Sequence, residues 1–240
     1  MSGLWFYGLH VCRMALLNPK RVVKRILVTN EATLEKLSKD SPAKIEIVNK
    51  RFLESYLSPG AVHQGIAMLV HPLENVPIES LDEIESSSQR VIVLDQVSDP
   101  HNVGAILRSA AAFGASALIM TDRHAPKESG VLAKSASGAL EIVPRIVVNN
   151  LAQGITTLKE MGFWCVGFSE AGTQTLGQID LKGKIALIMG SEGDGMRHLT
   201  QKLCDFTAKL ETVPNFSTLN VSNATAIALH ETFKAQCTNI

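Results

Sequence analysis

Three short segments beyond residue 94 hold the candidate chemical side chains, each where an apolar strand-like run ends or a helix-like run starts. Asn102 and Arg108 stand in Asp95-Gln-Val-Ser-Asp99-Pro100-His-Asn102-Val-Gly104-Ala-Ile-Leu-Arg108-Ser-Ala110. Glu192 stands in Met189-Gly190-Ser191-Glu192-Gly193-Asp194-Gly195, and Asn220 in Leu219-Asn220-Val221-Ser222-Asn223-Ala224. Each segment places polar residues where a sheet's edge would expose them, the kind of position at which ligands bind. Each residue also has a plainer reading. Asn102 can cap a helix, Arg108 can be a surface arginine, and Thr218 or Asn220 can cap the last helix. The glycine loop follows an apolar run, but its spacing is GxxGxG rather than GxGxxG, and no P-loop lysine follows. Glu192 and Asp194 would repel a pyrophosphate. This disfavours NAD or ATP, and with them a dinucleotide-dependent oxidoreductase. A ligand without phosphate and with positive charge fits better. Cys12, Cys165, Cys204 and Cys237 are scattered singly, and the seven histidines lack ligand spacing. Free thiols in a reducing cytoplasm, and no metal, are the expectation.

These segments need a frame. Residues 90–240 alternate apolar runs with amphipathic stretches. Strands are expected at 91–94, 117–120, 141–148, 163–168 and 185–189, and helices at 103–113, 129–135, 151–161, 196–203 and 220–236. Near-continuous apolar strands separated by helices predict a parallel sheet covered on both faces. Ligands in such sheets sit beyond the carboxyl ends of the strands, where the three segments fall. Arg108 lies roughly 9 Å further along its helix than Asn102, at ~1.5 Å per residue.

Residues 1–72 read as a separate small α/β module. A helix spans 8–17, with Leu9, Cys12, Ala15 and Leu16 on one face, and Pro19 follows it. Strands follow at 25–29, 44–48 and 65–70, and Asn30 and Asn49 are placed to cap short helices between them. Residues 73–89 form a polar, acidic linker that buries little. The formal net charge is zero, but its distribution is uneven. Residues 1–72 hold 10 Lys and Arg against 5 Asp and Glu, a net of +5, and residues 73–88 are acidic. A basic front module can collect a phosphate backbone, or it can be a solvated lysine face. No apolar run approaches the ~18–20 residues needed to span a bilayer, and the first ten residues lack the pattern of a secretory leader. A cytoplasmic protein without a membrane partner is expected.

In order and composition the three segments resemble the motifs of the SPOUT superfamily of RNA methyltransferases, in its TrmH-type 2′-O-ribose branch. The segments Lys134-Ser-Ala-Ser-Gly138-Ala139-Leu-Glu141-Ile-Val-Pro144 and His63-Gln64-Gly65-Ile66-Ala67 also look like the family, so the likeness runs close to full length. It is strongest to RlmB-type enzymes. The resemblance implies an α/β architecture: a small ribosomal-protein-L30e-like RNA-binding domain, then a parallel-sheet SPOUT domain with a C-terminal trefoil knot. It implies a homodimer and S-adenosyl-L-methionine as cofactor. The substrate would be a ribose, a guanosine's by the RlmB likeness, in large-subunit (23S) ribosomal RNA, naked or in a pre-50S particle. A transfer-RNA ribose methyltransferase, or a non-catalytic RNA-binding assembly factor, stays as the alternative.

By the same resemblance, Asn102, Arg108, Glu192, Thr218 and Asn220 line the reaction site, and Gly190, Val213 and Leu219 hold the cofactor. The chain departs from the family pattern in two places: the family usually has Ser where Thr218 stands, and Pro214 to Leu219 looks about three residues short. The family proposal makes Arg108 the general base. An arginine stays protonated in proteins, so the physically sounder role is to stabilise the developing alkoxide and fix the adjacent phosphate. Proton removal would then be late, to Glu192 or water.

Overall fold

The computed structural model describes residues 3–37, 43–213 and 218–237. They divide into two compact units: one of residues up to Glu74 together with Lys127–Ile142, the other of Asn75–Pro126 and Val143 onward.

The first unit is built on a four-stranded sheet in the order β1-β4-β2-β3. Its strands are β1 (Leu4–Tyr7), β2 (Val23–Val28), β3 (Lys44–Ile47) and β4 (Ile66–Val70). β4 runs antiparallel to both β1 and β2, and β2 runs parallel to β3. The sequence reading lacks β1. Leu4-Trp-Phe-Tyr7 is a run of large β-formers ended by Gly8, whose φ of 94° breaks the strand before α1 (Leu9–Leu17). α1 buries Val11, Cys12 and Ala15, while Leu9 is only half-buried. Asn30 caps α2 (Glu31–Glu35) by accepting from Thr33 N–H, and Asn49 caps α3 (Lys50–Glu54) by accepting from Phe52 N–H, as their positions predict.

Two boundaries run differently from the sequence reading. Residues 127–142, including α5 (Gly130–Ala136), pack with the first unit because Arg21 draws them in. The fully buried Arg21 guanidinium donates to Glu128 Oε1, to Glu141 Oε1 at 2.6 Å and to the His71 carbonyl at 2.7 Å. Asn18 adds a bond to Glu141 and the Leu73 N–H one to Glu128. Two carboxylates on one buried cation tolerate low dielectric only because every partner is in place. The segment 73–89, expected to bury little, in fact turns Ile78 and Leu81 of a short 3₁₀ turn into the core of the second unit. Its last residue, Gln89, opens a strand.

The second unit is a seven-stranded, all-parallel sheet in the order β7-β6-β5-β10-β8-β11-β9. Its strands are β5 (Gln89–Asp95), β6 (Ala117–Thr121), β7 (Arg145–Val148), β8 (Trp164–Phe168), β9 (Gln174–Thr175), β10 (Lys184–Gly190) and β11 (Phe206–Lys209). The helices are α4 (Pro100–Ala112), α6 (Leu151–Glu160), α7 (His198–Leu203) and α8 (Val221–Cys237). β5, β6 and β10 are buried almost throughout, as a sheet covered on both faces demands. The expected strand at 141–148 is shorter. Glu141 belongs to a 3₁₀ turn, Pro144 has no N–H to give a ladder, and β7 starts at Arg145. The chain runs outward from β5 to β6 and β7 and resumes on the far side of β10. The order therefore reverses beside the β5–β10 pair, the position where doubly wound sheets open a ligand crevice. No described helix is long and apolar enough to cross a membrane.

Candidate active site

The carboxyl ends of β5 and β10 lie side by side, Asp95 in register with Gly190. Beyond Gly190 the chain makes a tight hairpin in which Ser191 and Gly195 exchange backbone hydrogen bonds of 3.1 and 3.0 Å. Gly193 and Gly195 have φ of 91° and 67°, open to glycine at little cost. A Cβ on Gly190 would sit 2.1 Å from the Gly195 carbonyl carbon and 2.2 Å from Met196 N, so glycine is required there by close backbone approach. The base of this loop is pinned by Asp95. Its fully buried carboxylate accepts from Arg197 N–H at 2.9 Å and from Arg197 Nε at 2.7 Å. Asp95 opens the first sequence segment but received no role in the sequence reading. A carboxylate ending an otherwise apolar buried strand was the signal.

The three segments meet. Asn220 Nδ2 donates to Asn102 Oδ1 at 3.0 Å and also to Glu192 Oε1, and Asn102 Nδ2 donates to the same Glu192 oxygen at 3.2 Å. Glu192 Oε2 takes no hydrogen bond from a described residue. Asn220 also caps α8, its Oδ1 accepting from Ser222 N–H at 2.9 Å and Ser222 Oγ at 2.6 Å, so both readings of this residue hold. Asn102 is not a helix cap. Asp99 takes that place, accepting from His101 N–H with Pro100 at the first helical position, and Asn102 falls inside the first turn with its amide free for Glu192. Thr225, polar in an apolar stretch, is fully buried and satisfied by the Val221 carbonyl at 2.6 Å.

A cleft of about 1080 Å³ opens here. Gly190, Glu192, Val213, Thr218, Leu219 and Asn220 all line it. Four carboxylates, Glu170, Glu192, Asp194 and Glu211, face Lys209 as the one cation of the described lining. That balance opposes phosphate and favours a cationic ligand. Met189, Val213 and Leu219 supply apolar surface for a flat ring. Arg108 stands apart: it is exposed on α4 and outside the cleft lining. The segment Pro214–Leu219, short against the family pattern, falls partly on residues 214–217, which lie outside the described residues. Burial pushes the Cys165 and Cys204 thiols up to about 12 and raises Cys12 also, which makes these three poor nucleophiles. Among the described residues no group of three His, Cys, Asp or Glu could hold a metal ion.

Fold and site together define an α/β protein with a carboxylate-lined cleft at the carboxyl edge of a parallel sheet. The chain belongs to the SpoU rRNA Methylase family, which matches residues 89–230. Residues 5–76 match the family described as RNA 2′-O ribose methyltransferase substrate binding. The chain is 36% identical over 234 residues to the 23S rRNA (guanosine-2′-O-)-methyltransferase RlmB of Pseudomonas putida, covering 94% of each chain. To RlmB of Escherichia coli it is 40% identical over 189 residues, covering 78% of this chain and 77% of the relative. Among solved structures it resembles the SpoU methyltransferase AviRb from Streptomyces viridochromogenes, in complex with AdoMet. The TM-score is 0.83 and the identity 20%, with 97% of this chain and 90% of that one covered.

Proposed function

We propose that this protein methylates the ribose 2′-oxygen of a guanosine in 23S ribosomal RNA, with S-adenosylmethionine as methyl donor. The observation that carries the reading is the Asn102–Glu192–Asn220 network on the lip of a carboxylate-lined cleft, in a chain of this family whose relatives are named for that reaction. The cofactor would supply an electrophilic methyl on a sulfonium. The cleft suits it: backbone around Gly190 allows close approach, Val213 and Leu219 offer apolar contact, and the carboxylates favour a cation. Two amides hold Glu192 Oε1 in place and leave Oε2 to receive a proton or orient a hydroxyl. Thr218 and Asn220 add a hydroxyl and a carboxamide at the same rim. Arg108 fixes a substrate phosphate and stabilises the developing alkoxide.

Residues 1–72, with their +5 charge and their substrate-binding family match, take the RNA. The protein works as a cytoplasmic homodimer in which the partner packs near exposed Arg108, with the C-terminal trefoil knot that the resemblance implies. Ile227 and Phe233 of α8, 43% and 38% exposed, supply apolar surface for such a contact. The test is a map of ribose methylation in rRNA from cells with and without the gene. Loss of one 2′-O-methylguanosine in 23S rRNA, restored by the wild-type gene, is expected. An unchanged map would overturn the reading.

A further inference from the structure

The first unit carries an aromatic surface of which its own core uses only the inner part, Trp5. Trp5 of β1 and Arg25 of β2 both pair with Leu69 of β4, which places the three in one cross-strand row. Beside it α3 and the turn that follows set Phe52 and Tyr56. The Tyr56 ring lies 4.6 Å from Trp5, and Phe52 meets Tyr56 edge-on at 5.4 Å. The Arg25 guanidinium lies 5.6 Å from the Tyr56 ring and 5.9 Å from that of Phe52. A fork from Glu46, at 2.7 and 2.9 Å, and a bond to Tyr56 Oη at 3.3 Å hold it there. The packing that a small core requires is supplied by Leu27, Leu53 and Ala67, all fully buried. Phe52 and Tyr56 nevertheless remain 41% and 37% exposed.

Clustered, exposed and braced rings are built to meet a flat partner. The charge around them selects which. Arg51, next to Phe52, is exposed and makes no ion pair among the described residues, and Lys44, which meets Glu46 at 3.3 Å, keeps a side chain 77% exposed. The chain as far as residue 72 carries +5. Stacking faces beside exposed cations match a nucleic-acid strand: rings take the base, cations take the phosphates. A paired base has both faces covered by its neighbours, so the base must be unpaired.

We propose that Phe52 and Tyr56, braced by Trp5 and Arg25, form a platform on which the first unit stacks an unpaired base of its RNA substrate. The proposal rests on the reading that this unit binds RNA, and adds which face does so and what RNA feature it selects. The probes are an unstructured RNA of about 12 nucleotides, within the span such grooves cover, and the duplex it forms with its complement. Both are titrated against the full-length protein by fluorescence anisotropy. The variant F52L/Y56L keeps bulk and charge but removes both rings. It should bind the single strand about 10-fold more weakly, with an unchanged salt slope because no cation is removed. Duplex affinity and melting temperature should stay at the wild-type values, and Phe52→Tyr should retain wild-type affinity. In a Trp164→Phe background, Trp5 becomes the single tryptophan reporter, and its fluorescence should change on single-strand binding.

Unchanged single-strand affinity of F52L/Y56L overturns the platform while leaving the RNA-binding reading intact. An equal loss on duplex also overturns it. Failure of the wild-type protein to bind either RNA brings down the reading and the proposal together. If the variant keeps its affinity for deproteinised rRNA but no longer co-sediments with large-subunit particles, the surface meets protein and the proposal falls.

Discussion

Glu192, Asn102 and Asn220 come from three segments up to 118 residues apart, and the two amides still converge on one Glu192 oxygen. Their residue types were legible in the sequence because each stands where an apolar strand ends or a helix begins. Their mutual bonds were not, since these depend on which strands lie side by side. Arg108 is the residue whose role the geometry leaves most to chemistry, being exposed on α4 and outside the cleft lining. Arg108→Ala should lower methyl transfer by ~100-fold or more, the scale of removing one donor from a developing oxyanion. Affinity for the demethylated cofactor product should hold, and so should stability, since an exposed side chain seldom contributes beyond about 0.5 kcal/mol. Arg108→Lys should also be poor, because an ammonium lacks the planar fork that grips a phosphate. Single-turnover methyl transfer and calorimetry separate these effects. Near-wild-type transfer by Arg108→Ala would remove it from the mechanism.

Among the elements, the hairpin after β10 is the most tightly specified. Gly190 abuts the backbone of Gly195 and Met196, and Asp95 pins the far end of the loop through Arg197. Gly190→Ala must push backbone apart, since no flexible side chain is there to yield. Cofactor affinity should fall at least about tenfold, ~1.4 kcal/mol, with a lower melting temperature. Gly177→Ala is the matched control: its new Cβ would meet nothing within 4 Å, and no positive φ opposes it. Calorimetry with the demethylated cofactor product compares the two, and equal affinities would mean that the loop does not shape the pocket. The long central strands β5, β6, β8 and β10 were legible from unbroken apolar runs. β9, with only Gln174 and Thr175, and β11, Phe206–Lys209, were not. β9 is the edge of the sheet and β11 its inner neighbour; each is a short segment made a strand by parallel pairing to distant chain, and nothing local marks it. For Asn102 the deciding signal was local. Two capping residues three positions apart compete in Asp99-Pro100-His101-Asn102, and Pro100 at the first helical position settles it for Asp99.

At the scale of the whole molecule, sequence order and spatial unit part company. Residues 1–72 look removable on composition, yet the first unit also includes Lys127–Ile142. Glu128 and Glu141, on that returning segment, share the buried guanidinium of Arg21, and their side chains are each only 3% exposed. A deletion of residues 1–72 takes away the cation and the His71 carbonyl together, leaving two carboxylates without the partner that permits their burial. Breaking a buried ion pair from one side costs about 3–5 kcal/mol, a large part of the ~5–15 kcal/mol that holds an average domain folded. The truncated protein should therefore melt well below the full chain and bind the cofactor product poorly through misfolding, even though every proposed cofactor contact lies after Gln89. RNA affinity is better dissected in the intact chain. Replacing exposed Lys24 and Arg51 by Gln should flatten the salt dependence of RNA binding by about 0.7–0.9 for each phosphate no longer neutralised, with the melting temperature unmoved. Arg21→Met should reproduce the thermal loss of the truncation while leaving the exposed basic surface in place. Differential scanning calorimetry on the truncation, on Arg21→Met and on the Lys24/Arg51 variant decides the matter. If residues 73–240 melt at the wild-type temperature and bind the cofactor product unchanged, the Arg21 cluster does not hold the returning segment, and the front of the chain is an independent RNA-binding attachment after all.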